Sequence, residues 1–552
     1  MRRDVIFVAA CVLFVAASPT SASAQSTSGP AAPGLYHPEW QDRSDRSAEP
    51  EPKQFSLINY FFARGTVSNV LADPSGLRGV SLGPYAPGLN SGSNTGVDNE
   101  RWAYFVEQRW IPVFEYKPLF VDGLAAFRAQ FEVDYTWGLA ANAVQNNQGG
   151  GFNADQVNIQ TKNVNVAIYP TRKSRQLSLL IGTHSIYDTP YDPTITSLFD
   201  IVQTGYKLTF IGTDATGLSL FARTRYGRAR AAFIPMGGSQ PDRATDNDPR
   251  FRYATMGLLD YVFEPRPGTN IGLSYWRLQD NTKGRAFAFE GLVNSGPGSS
   301  ALKGYMGTQR FNIEQATGHV NYLGTHFHHN LGFRTSNFAA SGFLMYNVGR
   351  FENNRDDSQA LDAIDISGLA ANLELKYNWG RTEKDRITLE GIFTTGDDDP
   401  LDDKYSGPFT MNYYGLPGAV WFNHKTLLLF PFTSTVSNYT GAVTDISNRG
   451  YGLAAGIATA SMGLIPNKLN LKIGAAFGAS TANPPAEALG DVGNPGQIIG
   501  TEINAELEYQ IRYLMTVGLH TGYMFKGNFY AGSTQVTDNP FAAFTTFTWY
   551  AF

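Results

Sequence analysis

From Phe55 onward, the chain repeats segments in which apolar and polar residues alternate, with polar turns between them. The clearest segment covers residues 127–137 and has apolar or aromatic residues at every odd position. A period of two is typical of a β-strand with one apolar face. The length of this segment also matches one tilted strand that crosses a bilayer, about 9–11 residues.

The same alternation recurs along the chain, and the connections between segments fall into two lengths. Short turns cover residues 169–175, 264–268, 380–386 and 465–468. Long connections rich in Gly, Asn, Asp and Pro cover residues 85–100, 236–250, 281–307, 394–412 and 480–499. Short turns at one end and long loops at the other predict an all-β fold, a transmembrane antiparallel up-and-down β-barrel. A soluble sandwich or propeller is the alternative, but its turns would not divide into two lengths.

The first residues predict export from the cytoplasm. Arg2 and Arg3 precede an apolar stretch, and Ala22-Ser23-Ala24 provides a cleavage site with small residues. Residues 1–24 are therefore predicted to be a signal peptide. Residues 25–53 are rich in Ser, Pro, Gly and Ala and predict a flexible periplasmic leader. Residues 54–552 are predicted to form the barrel, with about 18 strands, or 16, since large single-chain barrels have even strand numbers.

Composition narrows the choice of protein class. Charged residues make up 16% of the chain and aromatic residues 13%, with 57 Gly and a net charge of −5. A nucleic-acid binder is disfavoured because it needs an excess of Lys and Arg. No apolar run reaches the roughly 18 residues of a membrane-spanning helix. The one cysteine, Cys11, lies in the signal peptide, so the mature barrel has no disulfide.

The C-terminus gives an independent indication of the location. The chain ends in an alternating segment that closes on the aromatic residue Phe552, although Thr546 and Thr548 stand where larger apolar residues are more usual. This tail resembles the one by which bacterial outer-membrane proteins are recognised for assembly. We therefore expect the bacterial outer membrane as the location. Expected partners are the barrel-assembly machinery, through the strand ending at Phe552, and outer-membrane lipid and lipopolysaccharide.

The chain as a whole resembles Gram-negative porins of the substrate-selective kind. Residues 389–400, with the sequence LEGIFTTGDDDP, resemble a late strand and loop of alginate-export-type barrels. That local resemblance covers about a dozen residues and implies an 18-stranded barrel with a strongly basic lumen that passes an acidic polysaccharide. The predicted inward positions of this chain instead mix Arg and Lys with Glu and Asp.

Alternation also assigns polar side chains to the lumen. The candidate pore-lining residues are Arg128, Glu132, Asp134, Arg223, Arg225, Arg228, Glu374 and Lys376. Residues i and i+2 on one strand face are roughly 6–7 Å apart, so Arg223 and Arg225 would form a basic ladder that attracts carboxylates or phosphates. The alternative is that carboxylates on other strands neutralise these arginines, with Glu132, Asp134, Glu374 and Glu506 as the candidates.

Other polar clusters have an ordinary interpretation beside a functional one. The aspartates at 397–399 and 402–403 could hold Ca²⁺, but the full EF-type spacing is missing and a solvated loop is the simpler interpretation. His326 and His328 share a strand face near His319 and His329, which permits a transition metal, yet polar lumen residues are the simpler reading. A hydrolase would need a Ser and a His on neighbouring strands, oriented by a third polar group, and no motif supports one. We predict no enzyme activity, no metal and no cofactor.

The sequence therefore predicts an outer-membrane channel for passive diffusion of hydrophilic solutes, with carbohydrates and anions as candidates. An export channel for an acidic polysaccharide and a plugged structural or adhesive barrel are the alternatives. The lumen of such a channel needs a constriction. The connection at 281–307, with Lys283, Arg285 and Lys303, is the candidate for it because of its length.

Overall fold

The computed structural model describes most of the predicted barrel. The described residues are 54–71, 96–100, 102–139, 148–149, 158–171, 176–186, 211–239, 252–282, 316–354, 361–399, 402–412, 425–430, 441–443, 446–448, 450–483, 496–512, 514–533 and 536–551. The predicted signal peptide and leader, at 1–24 and 25–53, lie outside them, as does Phe552. Their assignments stay predictions.

Eighteen long strands run through the described residues. The first nine are β1 (Phe55–Ser68), β2 (Ala103–Tyr116), β3 (Ala125–Leu139), β4 (Asn158–Ile168), β5 (Leu177–Ile186), β6 (Ile211–Thr224), β7 (Gly227–Ser239), β8 (Arg252–Arg266) and β9 (Thr269–Asp280). The other nine are β10 (Thr317–His329), β11 (Phe338–Glu352), β12 (Ala363–Asn378), β13 (Arg386–Thr394), β14 (Leu453–Ile465), β15 (Leu469–Ala479), β16 (Ile498–Arg512), β17 (Met515–Lys526) and β18 (Phe541–Ala551). Five two-residue strands lie in the connections: Val70–Leu71, Gly96–Val97, Gln148–Gly149, Lys404–Tyr405 and Met411–Asn412.

The eighteen strands form a closed antiparallel barrel. Each strand pairs with the next one along the chain, and β1 pairs with β18 from Asn59 opposite Ala551 to Ser68 opposite Ala542. Closure gives every strand two hydrogen-bonded neighbours, which a β-structure in lipid requires. The predicted fold class is confirmed, with 18 strands rather than 16.

The connections alternate between short and long, as the sequence predicts. Residues 225–226 join β6 to β7 and residues 267–268 join β8 to β9, whereas residues 395–452 join β13 to β14. The 3₁₀-helix Leu119–Val121 lies in a short connection, and a second, Asn528–Tyr530, lies in a long one. Strand β1 begins and strand β18 ends at the short-turn end. In barrels of this kind the short turns are periplasmic and the long loops are extracellular.

An apolar belt covers the outer face of the barrel. Aromatic side chains border it at the long-loop end, including Trp102, Tyr104, Tyr253, Tyr523 and Phe525, and at the short-turn end, including Tyr116, Tyr226, Tyr377, Trp379 and Trp549. Between Tyr104 and Tyr116, strand β2 rises about 30 Å along the barrel axis for a tilt of about 40°. This height fits a bilayer with aromatic residues at both interfaces. The protein is a transmembrane barrel of the bacterial outer membrane.

Among the residues that the structure describes, no helix is long and apolar enough to cross a membrane.

The inner face is less polar than expected near the long loops. On β7 to β12 many inward residues are apolar and buried, including Ile234, Met256, Trp276, Tyr322, Met345 and Ile366. The connection after β13 packs on them with Tyr405 and Phe409. The hydroxyl of Tyr322 donates to the carbonyl of Phe409 (2.8 Å), and the Phe409 N–H donates to Asn347 Oδ1 (3.2 Å). Part of the inner wall is therefore a packed core covered by a loop.

Asp385 ties the turn between β12 and β13 to strand β14. Its carboxylate accepts hydrogen bonds from the N–H groups of Arg381 (2.9 Å) and Thr382 (2.7 Å) in its own turn and of Gly463 (2.6 Å) on β14. The Gly463 and Thr382 donors, in that order, hold the pKa of Asp385 below its ordinary value of 3.8. The ionised carboxylate is thus the form that the folded barrel prefers.

We expect Asp385→Ala to lower the free energy of unfolding by about 2 kcal/mol at neutral pH. A carboxyl whose pKa is lowered on folding stabilises the protein above its unfolded-state pKa, and this contribution is lost as the pH falls through the folded-state pKa. The difference in Tm between wild type and variant should therefore be full at pH 7 and shrink below about pH 4. Thermal unfolding in detergent measures it, with the exposed Glu383→Ala as control. Equal losses of stability in Asp385→Ala and Glu383→Ala would show that the hydrogen bonds of Asp385 do not stabilise the barrel.

Candidate functional site in the barrel lumen

Residues 425–430, hereafter the inward segment, lie inside the barrel. They belong to the long connection between β13 and β14, and each is at most 8% exposed. Glycines on the wall make room for the segment. A Cβ at Gly478 on β15 would lie 3.1 Å from Leu429, and a Cβ at Gly522 on β17 would lie 3.2 Å from Leu427.

A buried carboxylate fixes the backbone of the inward segment. Glu502 on β16 accepts hydrogen bonds from the N–H groups of Leu427 (2.7 Å), Leu428 (2.9 Å) and Leu429 (2.5 Å), and it is completely buried. Successive N–H groups that converge in this way form an anion-binding concavity. The Asn504 amide donates to the same carboxylate at 2.8 Å. Glu502 therefore holds the segment through its main chain.

A second anchor uses the side chain of Lys425. Glu374 on β12 and Glu390 on β13 lie directly opposite each other on the inner wall, and the Lys425 ammonium forms ion pairs with both carboxylates. Like charges directly opposite on neighbouring strands repel. Lys425 removes this repulsion, and Lys376 adds an ion pair to Glu374 at 2.5 Å. The inward segment thus supplies a charge that the wall needs.

The two anchors fix how deep the segment reaches. Glu502 lies near the long-loop end of β16, whereas Glu390 is the central residue of β13. Since Lys425 binds Glu390 and residues 427–429 bind Glu502, the segment runs from the extracellular half of the lumen to about its mid-height. A segment at mid-height narrows the lumen where a constriction would act.

Ion pairs and hydrogen bonds neutralise other charges on the wall. Arg64 on β1 binds Glu107 on β2 (2.7 Å), and Arg230 on β7 binds Asp260 on β8 (2.6 Å). Lys472 and His520 both bind Glu506, and the other ring nitrogen of His520 lies 3.0 Å from the Thr546 hydroxyl. Ion pairs thus neutralise these wall charges, and two of the carboxylates suggested as partners of the arginines, Glu374 and Glu506, bind Lys425 and Lys472.

The predicted pore-lining residues differ in their positions. Arg128 is buried on the inner face of β3 beside Gln130 (3.5 Å), and Glu374 and Lys376 belong to the ion-pair group just described. Glu132 and Asp134 lie on the same strand as Arg128, and their side chains are outside the described part of the structure. Their role in the lumen stays a prediction.

The predicted basic ladder of Arg223 and Arg225 is wrong. Arg223 lies on β6 as expected, but the chain turns at 225–226, so Arg225 is exposed in the turn, with its guanidinium 5.5 Å from the Tyr226 ring. The ladder of Arg223 and Arg225 is therefore not formed. Arg228 on β7 lies directly opposite Arg223 instead, because the hairpin folds back at that point. A cross-strand basic pair replaces the ladder.

The predicted constriction at 281–307 stays a prediction. Of the connection at 281–307, the structure describes only Asn281 and Thr282, so Lys283, Arg285 and Lys303 lie outside the described residues. Sequence reasoning missed the inward segment, Lys425, Glu390 and Glu502. A signal was present, since LLLF at 427–430 is an apolar run within a polar connection.

The candidate metal ligands do not form a cluster of three in the described residues. The Asp397 carboxylate accepts hydrogen bonds from the N–H groups of Asp399 (3.1 Å) and Ser406 (3.2 Å) in its own loop. His326 and His328 face inward with ring centroids 5.4 Å apart, whereas His329 contacts Thr269 Oγ1 (2.9 Å). The Asp397 carboxylate thus has two hydrogen-bond donors within its own loop.

Asp397 lies at the base of the connection that carries the inward segment. Burial raises the pKa of its carboxyl to about 7, despite the N–H groups of Ser406 and Asp399 that favour ionisation. Its charge therefore changes in the neutral range, which an ordinary aspartate does not do.

We expect Lys425→Met to release the inward segment and raise the single-channel conductance. Removing one partner of a buried ion pair costs about 3–5 kcal/mol, and here it leaves Glu374 and Glu390 facing each other. Planar-bilayer recording of the refolded variant measures the change. Lys472→Met is the control, because it breaks a buried ion pair between wall strands only. Wild-type conductance in Lys425→Met would show that the segment does not narrow the pore.

The pH dependence of thermal stability gives a second test, because Asp397 titrates in the neutral range. A carboxyl whose pKa is raised on folding stabilises the folded state fully below its unfolded-state pKa, near 4, and this contribution is lost as the pH rises through about 7. We expect the Tm of the wild type to fall between pH 5 and pH 8, and to fall less in Asp397→Asn. The exposed neighbour gives the control, Asp398→Asn. If the Tm of Asp397→Asn fell with pH as steeply as that of the wild type, Asp397 would not be the cause of the pH dependence.

Comparisons with known proteins give similarities of fold only. No family model matches the chain, and no curated protein matches it. Among solved structures, OccAB4 of Acinetobacter baumannii has 10% identity and a TM-score of 0.42, with 90% of this chain and 99% of that one covered. OccK9 (OpdG) of Pseudomonas aeruginosa has 10% identity and a TM-score of 0.45, covering 91% and 99%. OpdK of Pseudomonas aeruginosa, in a structure with vanillate, has 12% identity and a TM-score of 0.43, covering 90% and 98%.

At these TM-scores the likeness carries no argument about the lumen. None of the three structures is described as an alginate exporter, so membership of that family is not confirmed. The properties of the lumen follow from the residues of this chain.

Proposed function

We propose that the protein is a passive outer-membrane channel for small hydrophilic solutes. The observation that supports this most directly is the inward segment, which is fixed inside a transmembrane barrel by Glu502 in the extracellular half and by the pair Glu374 and Glu390 at mid-height. A barrel of 16–18 strands is wide enough for an aqueous channel, and a loop folded into it sets the size limit. Solutes cross by diffusion down their gradient, without covalent chemistry.

Charge near the periplasmic end favours anions in this proposal. Arg223 and Arg228 lie directly opposite each other on the inner face of β6 and β7, next to the turn at 225–226. The Cβ atoms of such a pair are about 4.5–5.5 Å apart, which brings two guanidinium groups close to one carboxylate or phosphate. Small anionic solutes, including acidic carbohydrates, are therefore the proposed class. A long acidic polysaccharide is disfavoured because the lysines further along the wall and on the inward segment are engaged in ion pairs with Glu374 and Glu506.

A plugged structural barrel is the second candidate, and the apolar core inside the barrel favours it. Met256, Trp276, Tyr322 and Met345 on the wall, with Phe409 from the loop, are buried where an open pore would expose polar groups. The same buried cluster continues on β13 to β18, where it includes Ile392, Ile457 and Met524. A channel requires open space along the remaining wall, whereas a plugged barrel requires none.

Conductance of refolded protein in a planar bilayer separates these candidates. We expect stable conductance, with a reversal potential under a salt gradient that indicates anion preference. Arg223→Ala combined with Arg228→Ala should move the reversal potential toward cation preference, because two cationic groups are removed from the lumen. Arg225→Ala is the matched control, since it removes an arginine from the same hairpin but outside the lumen.

Each result has a definite consequence. A silent bilayer, with a folded barrel shown by its heat-modifiable mobility on a gel, would contradict the channel and favour the plugged barrel. Stable conductance whose reversal potential is the same in the double variant and in the wild type would retain the channel and remove the assigned basis of anion preference.

A further inference from the structure

A row of polar and charged side chains crosses the outer face of β9 to β12 near the long-loop end. In register across these strands lie Gln279, His319, Arg350 and Asp365. Arg277 precedes Gln279 by two residues on the same face, and Glu352 follows Arg350 by two. These six residues are called the outer row here. Arg350, Glu352 and Asp365 are at least half exposed.

The residues below the outer row locate it relative to the bilayer. Tyr275 and Tyr346 lie four residues before Gln279 and Arg350 on the same outward faces, and their hydroxyls bond to Asn321 Oδ1 (3.0 Å) and to Ser367 Oγ (2.8 Å). Leu273 and Leu344 lie a further two residues toward the middle of the barrel and are exposed. Apolar belt, tyrosines and charged row thus follow in the order of hydrocarbon, interface and headgroups.

The arginines of the outer row have N–H groups that can bind a further acceptor. The Arg277 guanidinium donates to the neutral Gln279 amide at 2.9 Å and, within the part of the chain that the structure describes, forms no ion pair. Arg350 donates to Asp365 (3.0 Å) and to Glu352 (3.4 Å). Because a guanidinium has five N–H donors, both side chains retain N–H groups for a further acceptor. The carboxylates around Arg350 also hold its side chain in place.

We propose that the outer row binds the phosphate groups of lipopolysaccharide in the outer leaflet. The long-loop end is extracellular, so the row lies at the headgroup level of that leaflet. Arginine presents a planar fork that matches a phosphate, and lipid phosphates at this level meet Arg277 and Arg350 from outside the barrel. Charged residues on a lipid-facing surface are costly unless headgroups or water solvate them. The site is independent of what passes through the lumen.

Binding of purified lipopolysaccharide to the full-length barrel in detergent tests the proposal. Native mass spectrometry gives the bound fraction over a series of lipopolysaccharide concentrations. We expect Arg277→Gln combined with Arg350→Gln to weaken binding by about 10- to 30-fold, since each arginine near an anionic lipid surface contributes separately. Arg225→Gln removes an exposed arginine at the opposite, periplasmic end and should bind as the wild type does. Heat-modifiable mobility verifies that each variant is folded.

Two further ligands identify the group that is recognised. Lipopolysaccharide with its phosphates removed should bind the wild type about as weakly as intact lipopolysaccharide binds the double variant. Phosphatidylcholine should bind all variants alike. Wild-type affinity in the folded double variant would overturn the proposal, and so would undiminished binding of the dephosphorylated lipid. If one arginine is needed for folding, the single variants Arg277→Gln and Arg350→Gln make the same comparison.

Discussion

Closure of the hydrogen-bond ladder between β1 and β18 is the constraint on which the rest of the structure depends. In lipid no water satisfies the N–H and C=O groups of a free strand edge, so a sheet must close on itself. Ten consecutive residue pairs, from Asn59 with Ala551 to Ser68 with Ala542, join the two ends of the chain. Closure then gives each strand one face toward lipid and one toward the lumen. The alternation along the sequence follows from that geometry.

Carboxylates on the inner face must be neutralised, and a loop supplies the cation that does so. Glu374 and Glu390 are brought opposite each other by the pairing of β12 and β13, and the barrel cannot relieve this by moving one strand. The inward segment supplies Lys425 to this pair and N–H groups to Glu502. The fold of the wall and the position of the loop therefore depend on each other. Narrowing of the lumen is a consequence of how the wall is neutralised.

Alternation, turn length and terminal residues together predicted the barrel, the division into short turns and long loops, and the inward side of Arg128, Arg223 and Glu374. Each of these depends on local pattern alone. The partners of inward charges depend on register, which pairs residues far apart in the chain, such as Lys425 with Glu374. The ladder of Arg223 and Arg225 was wrong because the hairpin turns at 225–226. The apolar lumen wall was missed because its alternation has apolar residues on both faces, as Met256 and Leu258 beside Leu259 show.

The two anchors of the inward segment make different demands on its sequence. Glu502 binds main-chain N–H groups, which every residue except proline provides, so this anchor tolerates changes at 427–429. Lys425 acts through its own charge, which few residues can replace. The wall restricts volume instead, because Gly478 and Gly522 leave space for Leu429 and Leu427 and a Cβ at either glycine would press on them. The lumen thus fixes the position of the segment by charge at Lys425 and its shape by glycines on strands that are distant in sequence.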